Sequence, residues 1–362
     1  MIRLNQIICI AFSLCITVSS CKNDKASAPS PVQQTTLHNP LLTFDVDNAL
    51  LATKIDTVKN YVNIVVKNTA DVKKLKTTFS LASGVNAFIG SNTIKSGDVI
   101  DFSKTVTLTI KSTDNKQSVA YTILVVNELF YQGLGFHLDA EKTAEKNYDI
   151  YLDQFDSGPF SPINCGPTVI TMAMRWSDST FKLSPKDARQ AIKPTGGWWT
   201  TADMEYYMRG TGIYNDTYPL TDIESTITQI IDNGDVGILC LDMFYVGLNT
   251  ANEQHTNKFY NTDGKDWGHF LLVKGYKKVD SKFYLEVNDP YSRGDRYITP
   301  DAMGQYKGKS RFYESSGIKQ SADIWWPYIL VIAPKGKKVT PILSSTGSRL
   351  KVNSVIPVAS GR

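Results

Sequence analysis

From about residue 41 to residue 127, apolar and polar side chains alternate with a period of two, the mark of strands buried on one face. Leu42, Phe44 and Val46 fall on one side, against Thr43, Asp45 and Asp47. Val106, Leu108 and Ile110 alternate with threonines, and Val119, Tyr121, Ile123 and Val125 resume the pattern after a polar turn at 112–117. This predicts a β-hairpin closing a small all-β sandwich. The segment has no cysteine pair and no cluster of ionisable residues, so it reads as a spacer or docking module, not a catalytic one.

From residue 128 the periods mix. Residues 166–176 read as a helix with Pro167 in its first turn, where a missing N–H costs nothing. Ser184-Pro185-Lys186-Asp187 opens a second helix, and Thr221-Asp222-Ile223-Glu224 is a capping box opening a third. Ile223, Ile227, Ile230 and Ile231 give that helix a buried stripe, and Gly234 ends it. Gly210-Thr211-Gly212 stops the helix before it. Continuous apolar runs predict strands near 236–244, 269–278, 282–288 and 327–333. Helices followed by an antiparallel sheet make an α+β domain over 128–335, with a polar loop at 246–266 that is either a lid, a substrate-selecting element or an insertion.

Composition adds limits. The 362 residues are 42% hydrophobic and 20% charged, with a net charge of +4. That charge is too mild to argue for nucleic acid, and part of it lies in a basic C-terminal segment, 336–362, expected to be a flexible tail. At the other end, Arg3 precedes an apolar stretch at 7–18, too short to span a bilayer, which needs ~20 residues. Val18-Ser19-Ser20-Cys21 resembles a bacterial lipobox, which implies a signal peptide at 1–20 and a lipid on Cys21. Residues 21–40, rich in Ser, Pro, Gln, Thr and Ala, suit a flexible tether. The expectation is an exported chain anchored to the cell envelope, at the outer membrane, touching the membrane only through this lipid.

Of five cysteines, Cys9 and Cys15 would leave with the signal and Cys21 would be modified. Cys240 lies in the apolar run Val236-Gly237-Ile238-Leu239-Cys240-Leu241, where a thiol acts as a small hydrophobe. Cys165 follows a polar loop and precedes Gly-Pro, so its sulfur stands at a helix start. The unpaired N–H groups and positive end of a helix favour a thiolate there. Gly166 would leave space beside the sulfur for substrate. A nucleophilic cysteine needs a histidine base held by an acceptor. Among His38, His137, His255 and His269, only His269 opens an apolar run, and Asp289 closes the next one. A hairpin turning at Val279-Asp280 pairs positions summing to 559, which sets His269 and Asp289 opposite each other within one residue. Asn288 is the alternative orienter.

Four blocks carry a resemblance: Tyr151-Leu152-Asp153-Gln154; Asn164-Cys165-Gly166-Pro167-Thr168; Trp267-Gly268-His269-Phe270 onward to Tyr276; and Val287-Asn288-Asp289-Pro290-Tyr291. Together they resemble the bacteriocin-leader-processing (double-glycine) peptidase-like group of papain-fold cysteine peptidases, over about 148–333. The sandwich is similar to immunoglobulin-like modules that follow lipobox cysteines in Bacteroides-type surface proteins. The resemblance implies Cys165 as nucleophile, His269 as base and then acid, Asp289 as its orienter and Gln154 as an oxyanion donor. Gln154 has an ordinary surface amide as its alternative reading. Trp198 and Trp199 are candidates for a groove wall, with core packing as the alternative.

The chain lacks the ATPase domain and membrane spans of the transporter-linked members, so their cleavage preference does not carry over. No cofactor is implied, and the partner expected is a peptide or protein substrate, with oligomeric state left open. Two rivals stand beside a cysteine peptidase: a cell-wall peptide amidase with the same triad, and a surface binding protein that no longer turns over. There is no His-Glu-x-x-His, Cys-x-x-Cys or Gly-x-Ser-x-Gly, and 261–266 is too short for a calcium loop.

Overall fold

The computed structural model describes residues 37–50, 52–251, 254–298, 302–344 and 347–348. The expected signal peptide, the Cys21 lipidation site, tether residues 21–36 and the tail's Arg349, Lys351 and Arg362 lie outside them.

The alternating N-terminal strands form a sandwich. One sheet has the order β1 (Leu41–Val46), β4 (Leu75–Leu81), β7 (Val99–Ile100). The other runs β2 (Lys54–Asp56), β3 (Tyr61–Val66), β9 (Ser118–Asn127), β8 (Val106–Ser112), β5 (Val85–Ile89), β6 (Asn92–Ile94), with β3 and β9 parallel. Phe44, Leu75, Leu108, Ile110, Tyr121 and Ile123 are buried together. One expectation fails at the first strand. The ladder shifts between Leu41 and Thr43, so Leu41 enters the core and Leu42 turns out, 57% exposed. A bulge adds one residue and reverses the facing of the residues before it.

A short helix, α1 (Glu128–Tyr131), leaves β9 under an Asn127 cap. Leu129 and Leu134 pack on Val279, Tyr284 and Phe312 of the C-terminal α+β domain. In that domain, β11 (Asn215–Pro219), β16 (Tyr328–Ile332), β12 (Val236–Asp242), β13 (Gly268–Val279), β14 (Lys282–Asn288) and β15 (Arg311–Glu314) lie side by side, all antiparallel. The strand β10 (Leu138–Thr143) pairs with the far half of β13. The unbroken apolar run of β13 follows from burial on both faces. Phe270 and Leu272 meet α2 (Cys165–Ser177) through Val169 and Ala173. Leu271 and Val273 meet α5 (Ile223–Asp232) and α6 (Ser315–Trp325) through Ile227, Ile230, Ile318 and Ala322.

One cap read from sequence, at Ser184, forms as read, and a box at Thr200 that was not read forms beside it. Ser184 and Asp187 make a reciprocal capping box on α3 (Pro185–Ala191), and Thr200 and Asp203 make another on α4 (Thr201–Met208). On α5 the cap is Asp222, one residue later than the box read from Thr221, and it accepts from the N–H of Ser225.

Two further expectations change. The β13–β14 hairpin turns at Asp280-Ser281, both left-handed (φ 49° and 66°), and Val279 pairs with Lys282. Left-handed pairs match strand twist in two-residue turns. A shift between Val273 and Gly275 then sets Leu272 opposite Asn288. The sums are therefore 561 and 560, not 559, and continuing the register sets Asp289 across from Leu271. The start of the expected flexible tail is also docked: Val339 and Ile342 are buried in the core, and the N–H of Thr340 donates to Asp235.

Candidate active site

Cys165 opens α2, 4% exposed, with the first N–H groups of the helix left without intrahelical partners. Pro167 lies in the first turn as expected. Gly166 has a different reason for its size. A Cβ there would come within 2.6 Å of the Cβ of Trp199, so the glycine admits the tryptophan, not substrate.

His269 is 2% exposed and Asp289 wholly buried. His269 Nε2 and Asp289 Oδ1 are 2.7 Å apart. The bond forms although the residues are not directly opposite, because they share a face two positions apart on a diagonal that long side chains span. Nδ1 is thereby left as the ring nitrogen for the thiol. Burial opposes the imidazolium, but the charge and hydrogen bond of Asp289, joined by those of Cys165, raise His269 from 6.5 to about 9. Burial likewise opposes the carboxylate, yet the charge and hydrogen bond of His269, with the Tyr313 hydroxyl and Tyr291 N–H, hold Asp289 below its ordinary value.

The carboxylate is fully engaged. Oδ1 also accepts from the N–H of Tyr291 at 2.9 Å, and Oδ2 accepts from the hydroxyls of Tyr260, at 2.8 Å, and Tyr313. Sequence reading missed both tyrosines. Tyr260 belongs to the polar loop 246–266, which is packed against the site. Arg311, fully buried, donates to the carbonyls of Thr256 and Asn257 and secures it.

The Tyr151–Gln154 block supports the same turn. The Tyr151 hydroxyl donates to the Asp289 carbonyl at 2.8 Å, and the N–H of Gln154 donates to the Pro290 carbonyl. Asp153 accepts from the N–H groups of Ser292, Arg293 and Gly294. Gly308 is obligatory here, because a Cβ would fall 2.0 Å from the Asp289 carbonyl.

Gln154 is placed otherwise than the resemblance implies, Trp199 takes its core-packing alternative, and Asn288 is not used as the fallback orienter. Gln154 is buried, and its amide nitrogen donates to the carbonyls of Ser161, at 3.0 Å, and Pro162, at 3.3 Å, in place of facing an oxyanion. Trp199 is a core residue beside Gly166, while Trp198 is 41% exposed. Asn288 accepts from the N–H of Ser310 and leaves His269 to Asp289. Cys165 and Cys240 are both free thiols, and burial pushes the Cys240 thiol far up, with Cys165 adding to it. His137 pairs with Asp139 on the surface, and His255 stacks on Tyr297. Among the described residues, no three His, Cys, Asp or Glu side chains group to hold a metal ion, and no helix is long and apolar enough to cross a membrane.

No curated protein matches the sequence. Similar solved structures include a protein from Bacillus anthracis described as a C39-like peptidase, at 11% identity and a TM-score of 0.36, covering 55% of this chain and all of that one. A protein described as a glycoside hydrolase from Bacteroides thetaiotaomicron is 10% identical with a TM-score of 0.22, over 85% and 91% of the two chains. A secreted protein from Bacteroides fragilis is 11% identical with a TM-score of 0.19, over 23% and 71%. Residues 41–125 match the family model described as SGBP, N-terminal, of surface glycan-binding proteins.

Proposed function

We propose that the protein is a thiol hydrolase of papain-like type, a cysteine peptidase acting through Cys165, His269 and Asp289. The observation that carries this reading is the buried imidazole held between a helix-end thiol and a carboxylate engaged by four donors. A core residue needs no such arrangement. In the reaction, His269 takes the thiol proton and the sulfur attacks a carbonyl carbon. The imidazolium returns the proton to the leaving amine, and water then attacks the thioester with His269 again as base. Because the Gln154 amide is committed to two carbonyls, the oxyanion falls first to the N–H of Cys165 at the helix start. A cell-wall peptide amidase would use the same steps on another amide.

The test is alkylation of the folded protein by iodoacetamide at pH 7, followed by mass spectrometry and a panel of fluorogenic peptides and peptidoglycan stem peptides. Expected are modification of Cys165 well ahead of Cys240, slowing in His269→Ala, and amide cleavage lost in Cys165→Ala. Equal reactivity of the two thiols would sink the hydrolase reading.

The match over 41–125 favours a second reading, a cell-surface protein that binds glycans. In the sandwich, a groove of about 440 Å³ is lined by Leu42, Phe44, Thr53 and Ile55 among others. The one aromatic ring among its lining residues, Phe44, is buried in the sandwich core. Glycan binding by Cys165→Ala, with no hydrolysis by the wild type, would favour it. Both readings share a surface location, with export and lipidation at Cys21. Metabolic labelling with an alkynyl fatty acid is expected to mark the wild type and not Cys21→Ala; equal labelling refutes the anchor.

A further inference from the structure

The residue before the nucleophile does not cap its own helix. Asn164 makes no side-chain bond to the first turn of α2. Its Nδ2 donates to Ser157 Oγ at 2.8 Å, and its Oδ1 accepts from Arg189 Nε at 2.8 Å. Arg189, on α3, is 4% exposed. Its other nitrogens donate to the carbonyls of Ile163, at 3.1 Å, and Gly197, at 2.8 Å. The rings of Phe160 and Trp199 each lie 5.8 Å from the guanidinium carbon. One side chain therefore ties the backbone entering Cys165 to the Gly197–Trp199 segment that rests on Gly166.

The chemistry of this site exceeds what packing requires. A buried cation is costly, and methionine or leucine would fill comparable volume without that cost. The hydrogen bonds of Arg189 go to an amide oxygen and two carbonyls, all uncharged. Asp203, whose charge also reaches Arg189, is bonded to Lys193 at 2.6 Å.

We propose that Arg189 is a positioning residue of the hydrolase, fixing the backbone that carries Cys165. This rests on the thiol-hydrolase reading.

The experiment compares full-length wild type, Arg189→Met and Arg189→Lys, with circular dichroism and thermal midpoints as controls of folding. Iodoacetamide alkylation of Cys165 is measured at pH 7, with kcat and KM on the best peptide substrate. Arg189→Met is expected to lose at least about tenfold in kcat with KM within about twofold. Arg189→Lys keeps the charge without the fork, so it should lose a similar factor in kcat/KM. A folded Arg189→Met with the wild-type kcat overturns the proposal. Should that variant not fold, Arg189→Lys with unchanged kcat/KM overturns the positioning role. A wild-type Cys165 no more reactive than Cys240 overturns the hydrolase reading and this inference with it. A reactive Cys165 indifferent to both substitutions overturns this inference alone.

Discussion

Each oxygen of the Asp289 carboxylate accepts two hydrogen bonds, and this is why a wholly buried acid stays ionised. Removing one donor leaves a desolvated lone pair, a loss of about 1–3 kcal/mol. Tyr313→Phe is expected to destabilise the protein by that amount at pH 7. The two pH limbs should respond differently. Asp289 is held below its ordinary 3.8, so its contribution is present above that value and lost as pH falls through the lower folded value. His269 is raised from 6.5 to about 9, so its contribution is full below 6.5 and lost as pH rises through about 9. The Tyr313 hydroxyl bonds the carboxylate and not the ring. Thermal midpoints measured from pH 3 to pH 10 should therefore show the acid limb of Tyr313→Phe moved to higher pH and its alkaline limb unmoved. A shift of the alkaline limb instead would mean that the tyrosine acts on His269. None of this is legible in sequence, because Tyr260 and Tyr313 lie 29 and 24 residues from Asp289 on either side and only the fold gathers them.

At the scale of elements, local signals are legible in the sequence and registers are not, for one physical reason. Caps and helix stripes involve residues three or four apart, so Ser184, Asp187 and the isoleucines of α5 announce themselves. Register depends on single residues that shift a whole ladder. The bulge at Leu41/Thr43 puts Leu42 in solvent, and the turn at Asp280-Ser281 takes Asp289 away from a position opposite His269, which the shift at Val273/Gly275 only partly restores. The second irregularity has an evident occupant. Lys274, fully buried within an apolar strand, pairs with Glu145 and Glu286, and a Cβ on Gly275 would run into Glu286. An ammonium needing two carboxylates deforms its strand in a way that the hydrophobic pattern does not register. The pairing of His269 with Asp289 survives the change of register because a diagonal on one face is as usable to long side chains as a direct pair.

At the scale of the molecule, the composition of the C-terminal segment misleads where its few apolar residues do not. Six basic residues from Lys335 onward, with no acid among them, suggest a tail outside the fold. Yet Ile342 is fully buried beside α5, Val339 is nearly so, and Gln229 both accepts from the N–H of Leu343 and donates to its carbonyl. Burying a side chain of this size stabilises by about 1.5–3 kcal/mol, so the two apolar contacts together reach several kcal/mol, a large share of a typical domain's net stability. A chain ended after Lys335 is therefore expected to melt at least about 10 °C lower than the full-length protein, given that ~1 kcal/mol moves the midpoint of a domain this size by about 2–4 °C. A chain ended after Ser348 keeps both residues and should melt within about 2 °C of it. Differential scanning calorimetry of the three chains decides the matter. Equal midpoints for the shortest and longest would show that the α5 face closes without Val339 and Ile342. A drop confined to the shortest chain would extend the folded domain beyond residue 335, to include the segment that covers the helix face behind β12 and β13.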